Sequence, residues 1–166
     1  MTGITAQGSV LIHSAPASLL PHVEWAIGRL LGGPAGLTWT PQPALASTFR
    51  TELEFDSSTS FGAVLASELL GWGSLRFEII QHESLGVAGW RWAYTPSLGL
   101  FQGQIDSLGN SLVTEHRLNS ILDAPNGAWA DLKAQVRLAL GQPWDLELER
   151  YREAGEQSAV VYLRAN

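Results

Sequence analysis

Thr48-Phe-Arg-Thr-Glu-Leu-Glu-Phe55 decides the architecture of the first half of the chain. Phe49, Thr51, Leu53 and Phe55 share one parity and Arg50, Glu52 and Glu54 the other, the period of a strand with one buried face. Upstream, Ser9 to His13 reads as a first strand around Val10, Leu11 and Ile12. An apolar-periodic run to Leu31 follows, stopped by Gly32-Gly33-Pro34. Ser14 is its expected N-cap with Pro16 just inside, and Pro21 places the start of regular helix near Leu20. Leu37 to Thr40 is expected as a short strand, ending in Thr40-Pro41-Gln42-Pro43, whose alternating prolines force an extended connection. Downstream, Phe61 to Leu70 is a helix with Phe61, Val64, Leu65 and Leu69 on one face and Gly71 as its stop. Leu75, Phe77 and Ile79 then alternate with Arg76 and Glu78 in a fourth strand. The order strand, helix, strand, strand, helix, strand is that of a split βαβ unit. It predicts an α+β, ferredoxin-like antiparallel sheet with both helices on one face.

The second half extends that unit. Val87 to Thr95 and Leu98 to Ile105 read as a hairpin around Thr95-Pro96-Ser97. Asp106-Ser-Leu-Gly-Asn110 has Asp where a turn opens and Gly where positive φ is wanted, so Ser111 to Val113 can pair back. Thr114 caps a helix to Leu122, broken by Pro125-Asn126-Gly127. Trp129, Leu132, Val136 and Leu140 form another helical stripe, closed by Gly141. Pro143 opens a last helix, Trp144 to Arg152, and Val160 to Leu163 reads as a closing strand. Trp90, Trp92 and Tyr94 share one face of their strand, with Arg91 and Ala93 opposite. The C-terminal helices are expected to cover the aromatic face. No repeat, low-complexity tract or linker divides the chain. The expectation is a single domain over 1–166, with a core at 1–82 and a hairpin and helical extension at 83–166.

Composition narrows the function. The length of 166 residues suits one domain. Ten Lys+Arg against 16 Asp+Glu leave a net charge of −6, which disfavours a nucleic-acid binder. Cysteine is absent, which excludes disulfides, thiolate metal sites and Cys nucleophiles. Met1 to Gly8 holds no basic residue and no apolar run, and no window reaches the ~18 apolar residues of a membrane helix, so cytoplasmic residence is expected. Lys133 is the only lysine. Such arginine usage fits a GC-rich genome, and it also fits selection for planar bidentate contacts. With 16% charged residues, 45% hydrophobic and seven Trp, the surface is stickier than a free monomer needs.

No reaction announces itself. His13, His22, His82 and His116 lie on four separate elements with no HxH or HxxxH pair, so no metal is expected. Gly32-Gly33-Pro34-Ala35-Gly36 precedes a strand instead of a helix, and neither a GxxxxGK loop nor a GxSxG elbow occurs, so no cofactor is implied. Catalytic residues therefore stay unassigned. One candidate ligand pocket is His13 and Ser14 at the end of the first strand, with Arg50 and with His22 and Glu24 of the following helix. The competing reading is that Ser14 caps the helix and His13 satisfies a backbone carbonyl. On that helix Leu20, Val23, Ala26, Ile27 and Leu30 cluster within about 60° of Val23, while Trp25 falls at about 200°. Trp25, with Pro21, His22 and Arg29, is thus the candidate partner-binding face; otherwise the helices after Thr114 fold back and cover it.

Ser9-Val-Leu-Ile-His-Ser-Ala-Pro16, Pro21-His-Val-Glu-Trp-Ala26, Trp39-Thr-Pro-Gln-Pro43, Thr95-Pro-Ser-Leu-Gly-Leu-Phe101, Gly109-Asn110 and Ala139-Leu-Gly-Gln-Pro-Trp-Asp145 add a resemblance. Together they resemble an actinobacterial family of uncharacterised conserved proteins, from about Gly8 to Leu163. Members are found in places beside fatty-acid-synthesis genes, which implies a partner in acyl-CoA or acyl-carrier metabolism. The family brings no catalytic residue or cofactor to carry over. Aromatics and Arg are what protein interfaces enrich. The expected function is a non-catalytic interaction or regulatory accessory subunit, with acyl-CoA carboxylase or fatty-acid-synthesis components as partners. The alternative is a small-molecule binder or enzyme using the pocket near His13, Ser14, His22 and Arg50.

Overall fold

The computed structural model describes residues 5–124 and 128–164. Among the described residues seven strands form one antiparallel sheet: β1 (Thr5–Pro16), β2 (Thr40–Pro41), β3 (Thr48–Ser58), β4 (Arg76–Gln81), β5 (Gly89–Thr95), β6 (Gly99–Ile105) and β7 (Ser111–Leu112), in the order β2-β3-β1-β4-β5-β6-β7. The helices are α1 (Leu20–Leu31), α2 (Phe61–Leu70), α3 (Glu115–Leu122), α4 (Trp129–Ala139) and α5 (Gln142–Arg164). The predicted break at Pro125-Asn126-Gly127 lies outside the described residues.

The alternation read in Thr48 to Phe55 holds and continues to Ser58, because β1 runs antiparallel beside it from Thr5↔Ser58 to Pro16↔Thr48. That pairing overturns one expectation. Ser14 is inside β1, beyond an irregularity after Ile12, and caps nothing. Its hydroxyl accepts from Arg76 Nη1 at 3.4 Å, and α1 starts without a side-chain cap. Pro21 in the first turn of α1 makes this tolerable, since its missing N–H would have had no partner there. The strand expected at Leu37 to Thr40 shrinks to Thr40–Pro41. Gly36 turns the chain at φ +61°, and the Thr38 carbonyl accepts from the Thr51 hydroxyl at 2.9 Å instead of joining a ladder.

One face of the sheet carries the main core. Val10, Ile12, Phe55, Phe77 and Ile79 meet Val23 and Ile27 of α1 and Phe61, Leu65 and Leu69 of α2, all buried. Each such side chain removed from water contributes about 1.5–3 kcal/mol. On α2 the buried face is Phe61, Gly62, Leu65, Ala66 and Leu69, while Val64, expected inward, is 40% exposed. Gly62 is there because a Cβ would stand 2.5 Å from the Trp92 ring. Trp92 and Tyr94 belong to this same core, with Trp90 packed against it. This corrects the sequence expectation that the C-terminal helices cover the aromatic face: α2 covers it, because Trp92 and Tyr94 share the parity of the residues that pack on α1 and α2.

The C-terminal helix covers the opposite face. Trp144 and Leu148 of α5 pack on Ala93 and Phe101. The closing strand predicted at Val160 to Leu163 is instead the end of α5. From Glu153 to Ala159 there is no proline, so a helix already running through Tyr151 gains a bond with each added residue. A strand would have needed an edge partner. Further back, the Thr114 hydroxyl caps α3 by accepting from the Arg117 N–H at 3.2 Å. Gly141, at φ +78°, turns the chain between α4 and α5.

Candidate functional site

Beneath α5 the sheet buries charge. On β4, Glu78 has the parity opposite to Phe77 and Ile79, so it points away from the main core, and α5 closes over it. Its side chain is 4% exposed. Arg91 of β5 donates from Nε and Nη2 to Glu78 Oε2 at 3.0 and 2.8 Å. Arg152 of α5 donates from Nε and Nη2 to Oε1 at 3.0 and 2.7 Å. His13 Nε2 lies 2.7 Å from Oε1. An ionised carboxylate only accepts, so the proton of that bond sits on His13 Nε2.

Burial pushes the Glu78 carboxyl up. The hydrogen bond and charge of His13 and the charges of Arg91 and Arg152 outweigh it and hold the group down at about 2. Burial likewise works against the Arg152 guanidinium, and the Glu78 charge overrides it and raises Arg152 above the ordinary arginine value. Asp145 at the start of α5 extends the network, accepting from Arg91 at 2.7 Å and Arg152 at 3.4 Å. Two arginines from distant segments thus grip one carboxylate with planar forks, a contact lysine cannot make.

The residues singled out near the end of the first strand join this region. His13 is 3% exposed and Ser14 0%. His13 shares Glu78 Oε1 with Arg152 of α5, and Ser14 accepts from Arg76, whose guanidinium lies over the Tyr151 ring of α5. Gln42, also buried, donates to the His13 carbonyl at 2.7 Å and to the Tyr151 carbonyl at 3.3 Å, tying β1 to α5. Arg50 lays its guanidinium against Gly155 of α5, where a Cβ would meet Nη1 at 1.4 Å. His22 is elsewhere, exposed on α1 with its ring 6.2 Å from that of Trp72. His13, Ser14 and Arg50 are therefore brought under one helix, and His22 is not. From sequence alone Glu78 and Arg91 look solvent-facing, because they stand on the polar parity of their strands, and Asp145 and Arg152 look like the solvated face of a helix. The signal that could have found them is the stripe Trp144, Leu148, Tyr151, which demands a second face to cover.

The Trp25 face is open. Trp25 is 65% exposed while Val23, Ala26 and Ile27 beside it are buried, as the helical arithmetic requires. The Arg29 guanidinium sits 5.5 Å from the Trp25 ring centre and pairs with Glu68 of α2. Pro21, Trp25 and Arg29 line a groove of about 610 Å³ floored by Gly28 and closed by Gly32-Gly33-Pro34.

Among the described residues no group of three His, Asp or Glu side chains is gathered as a metal site would need. No helix among them is long and apolar enough to cross a membrane. No curated protein and no solved structure matches the chain. The model of one family, described as protein of unknown function (DUF3145), matches residues 9–165. Since that match takes in nearly the whole sequence, the chain belongs to the DUF3145 family.

Proposed function

We propose that this protein is a non-catalytic accessory subunit that docks on a larger protein through the Trp25 face. The observation that carries the reading is a tryptophan left 65% exposed on an otherwise well-packed helix, with an arginine stacked on it and an apolar groove beside it. Trp and Arg are the residues that dominate binding energy at interface centres. The strand order β2-β3-β1-β4 around two helices supports reading residues 1–82 as a ferredoxin-like split βαβ unit, which α1 uses to present that face. The resemblance to an actinobacterial family found beside fatty-acid-synthesis genes supports acyl-CoA carboxylase or fatty-acid-synthesis components as the partner to test first. The ligand-pocket alternative draws less support, because α5 covers His13 and Ser14.

The test is Trp25→Ala. An exposed side chain away from the core leaves stability within about 0.5 kcal/mol, while loss of an interface anchor costs about 2 kcal/mol or more of binding. Purified carboxylase subunits passed over the immobilised chain should bind the wild type, and the variant should bind markedly more weakly at an unchanged melting temperature. Equal binding by the two proteins would remove Trp25 from the interface. A drop in stability of several kcal/mol would place Trp25 in the core.

A further inference from the structure

We propose that the outer edge of β6 is a docking site for an extended peptide segment of a partner protein, added to the sheet as a further strand, with an acidic side chain of that segment on Arg117. β7 pairs with Gln104 and Ile105, and among the described residues no strand pairs with the outer side of Gly99 to Gly103. The Asp106 N–H donates to the Asn110 carbonyl at 3.0 Å, and the alternation of antiparallel pairs makes Gln104 and Leu112 the next hydrogen-bonded pair. By the same parity the main-chain N–H and C=O of Gln102 and Leu100 point outward, ready for a strand.

A groove of about 470 Å³ follows this edge. Leu100 and Gln102 face one side of the sheet and Phe101 and Gly103 the other, yet all four line it. Only a groove running along the strand's rim meets both sets. Its far wall includes Leu112, Leu138 and Arg117. Leu112 and Leu138 are 49% and 38% exposed, an apolar wall for the side chains of an added strand. Open edges are ordinarily defended by charge, proline or a covering element. Gly99-Leu-Phe-Gln-Gly-Gln-Ile105 has no charge and no proline. Arg117 is exposed and makes no ion pair among the described residues, so the groove offers one free cation in a chain of net charge −6. Unpaired main-chain groups specify an extended backbone, and the lone arginine specifies a carboxylate. None of these residues lines the Trp25 groove, so this site stands apart from the reading above.

The experiment pans a phage-displayed random peptide library against the immobilised full chain. Enriched peptides should alternate apolar and polar residues and carry Asp or Glu. A synthetic peptide of the enriched sequence should slow hydrogen exchange at the Leu100 and Gln102 amides. Gln102→Pro removes an outward donor without touching the pairing with β5, and should abolish binding. Arg117→Ala should weaken binding about tenfold at an unchanged melting temperature, and Trp25→Ala should leave it intact. If Gln102→Pro does not fold, N-methylating the peptide amides that face β6 makes the same cut from the other side, with loss of binding expected. The proposal is overturned if no peptide is enriched, or if enriched peptides bind regardless of Arg117→Ala and of both main-chain cuts. It is also overturned if the chain pairs with itself through β6, seen as concentration-dependent dimers that Gln102→Pro or Arg117→Ala dissolves.

Discussion

Glu78→Gln is expected to cost about 3–5 kcal/mol of stability at neutral pH, read from urea unfolding followed by tryptophan fluorescence. The change keeps the shape of the side chain and removes its charge, leaving the Arg91 and Arg152 forks with a neutral acceptor in a buried place. Asp145 and Glu149 still meet these arginines, but both are more exposed and compensate less. The pH dependence carries the same signature. The folded carboxyl is held at about 2 against an ordinary value of 4.5, so its contribution is complete above pH 4.5 and is lost as pH falls toward 2. That share amounts to about 3 kcal/mol. Acid should therefore erode the wild type through this window, and the gap between wild type and Glu78→Gln should narrow as it does. A variant within 1 kcal/mol of wild type at neutral pH would show that the buried network does not hold α5 on the sheet.

Tyr151→Ala is expected to have an effect of similar size, about 3–5 kcal/mol, through packing instead of charge. Tyr151 is fully buried in α5, with the Arg76 guanidinium 5.0 Å from its ring centre and that of Arg150 at 4.7 Å. Its hydroxyl accepts from Arg150 Nη2 at 2.6 Å, and its carbonyl holds Gln42. Truncation leaves a cavity exactly where α5 meets β1. Hydrogen exchange should speed up along α5 and at the strand segments it covers, while Val10, Ile12 and Ile79 keep the protection of the α1 and α2 side. Uniform loss of protection across the sheet would instead mean that the two faces unfold as one unit. Because Glu78 and Tyr151 both secure α5, the double variant should lose less than the sum of the two.

The alternation in Thr48 to Phe55 and in Leu75 to Ile79, and the helical period from Phe61 to Leu70, place β3, α2 and β4 to within three residues at each end. The Asp106 to Asn110 turn and the Thr114 cap were equally legible, because both are bonds between near neighbours. At the candidate sites, the outward angle of Trp25 followed from helix geometry, and its exposure agrees. Ser14 looks like a cap in sequence, because a serine before an apolar run reads as one wherever the strand in front of it ends. Here β1 continues to Pro16, held by partners more than thirty residues away.

Local pattern was enough to set which segments are strands or helices and which parity of each is apolar, since periods of two and 3.6 are properties of neighbouring residues. It could not say what lies over the polar parity. Arg76, Glu78 and Arg91 alternate outward from the main core in just the way solvent-facing residues do. Whether they meet water or a helix depends on a segment far along the chain, and the contact that decides it joins residues 74 positions apart, Glu78 and Arg152. Only tertiary structure brings that pair together, and with it the burial that lowers the Glu78 carboxyl and turns the second face of the sheet from a surface into a charged core.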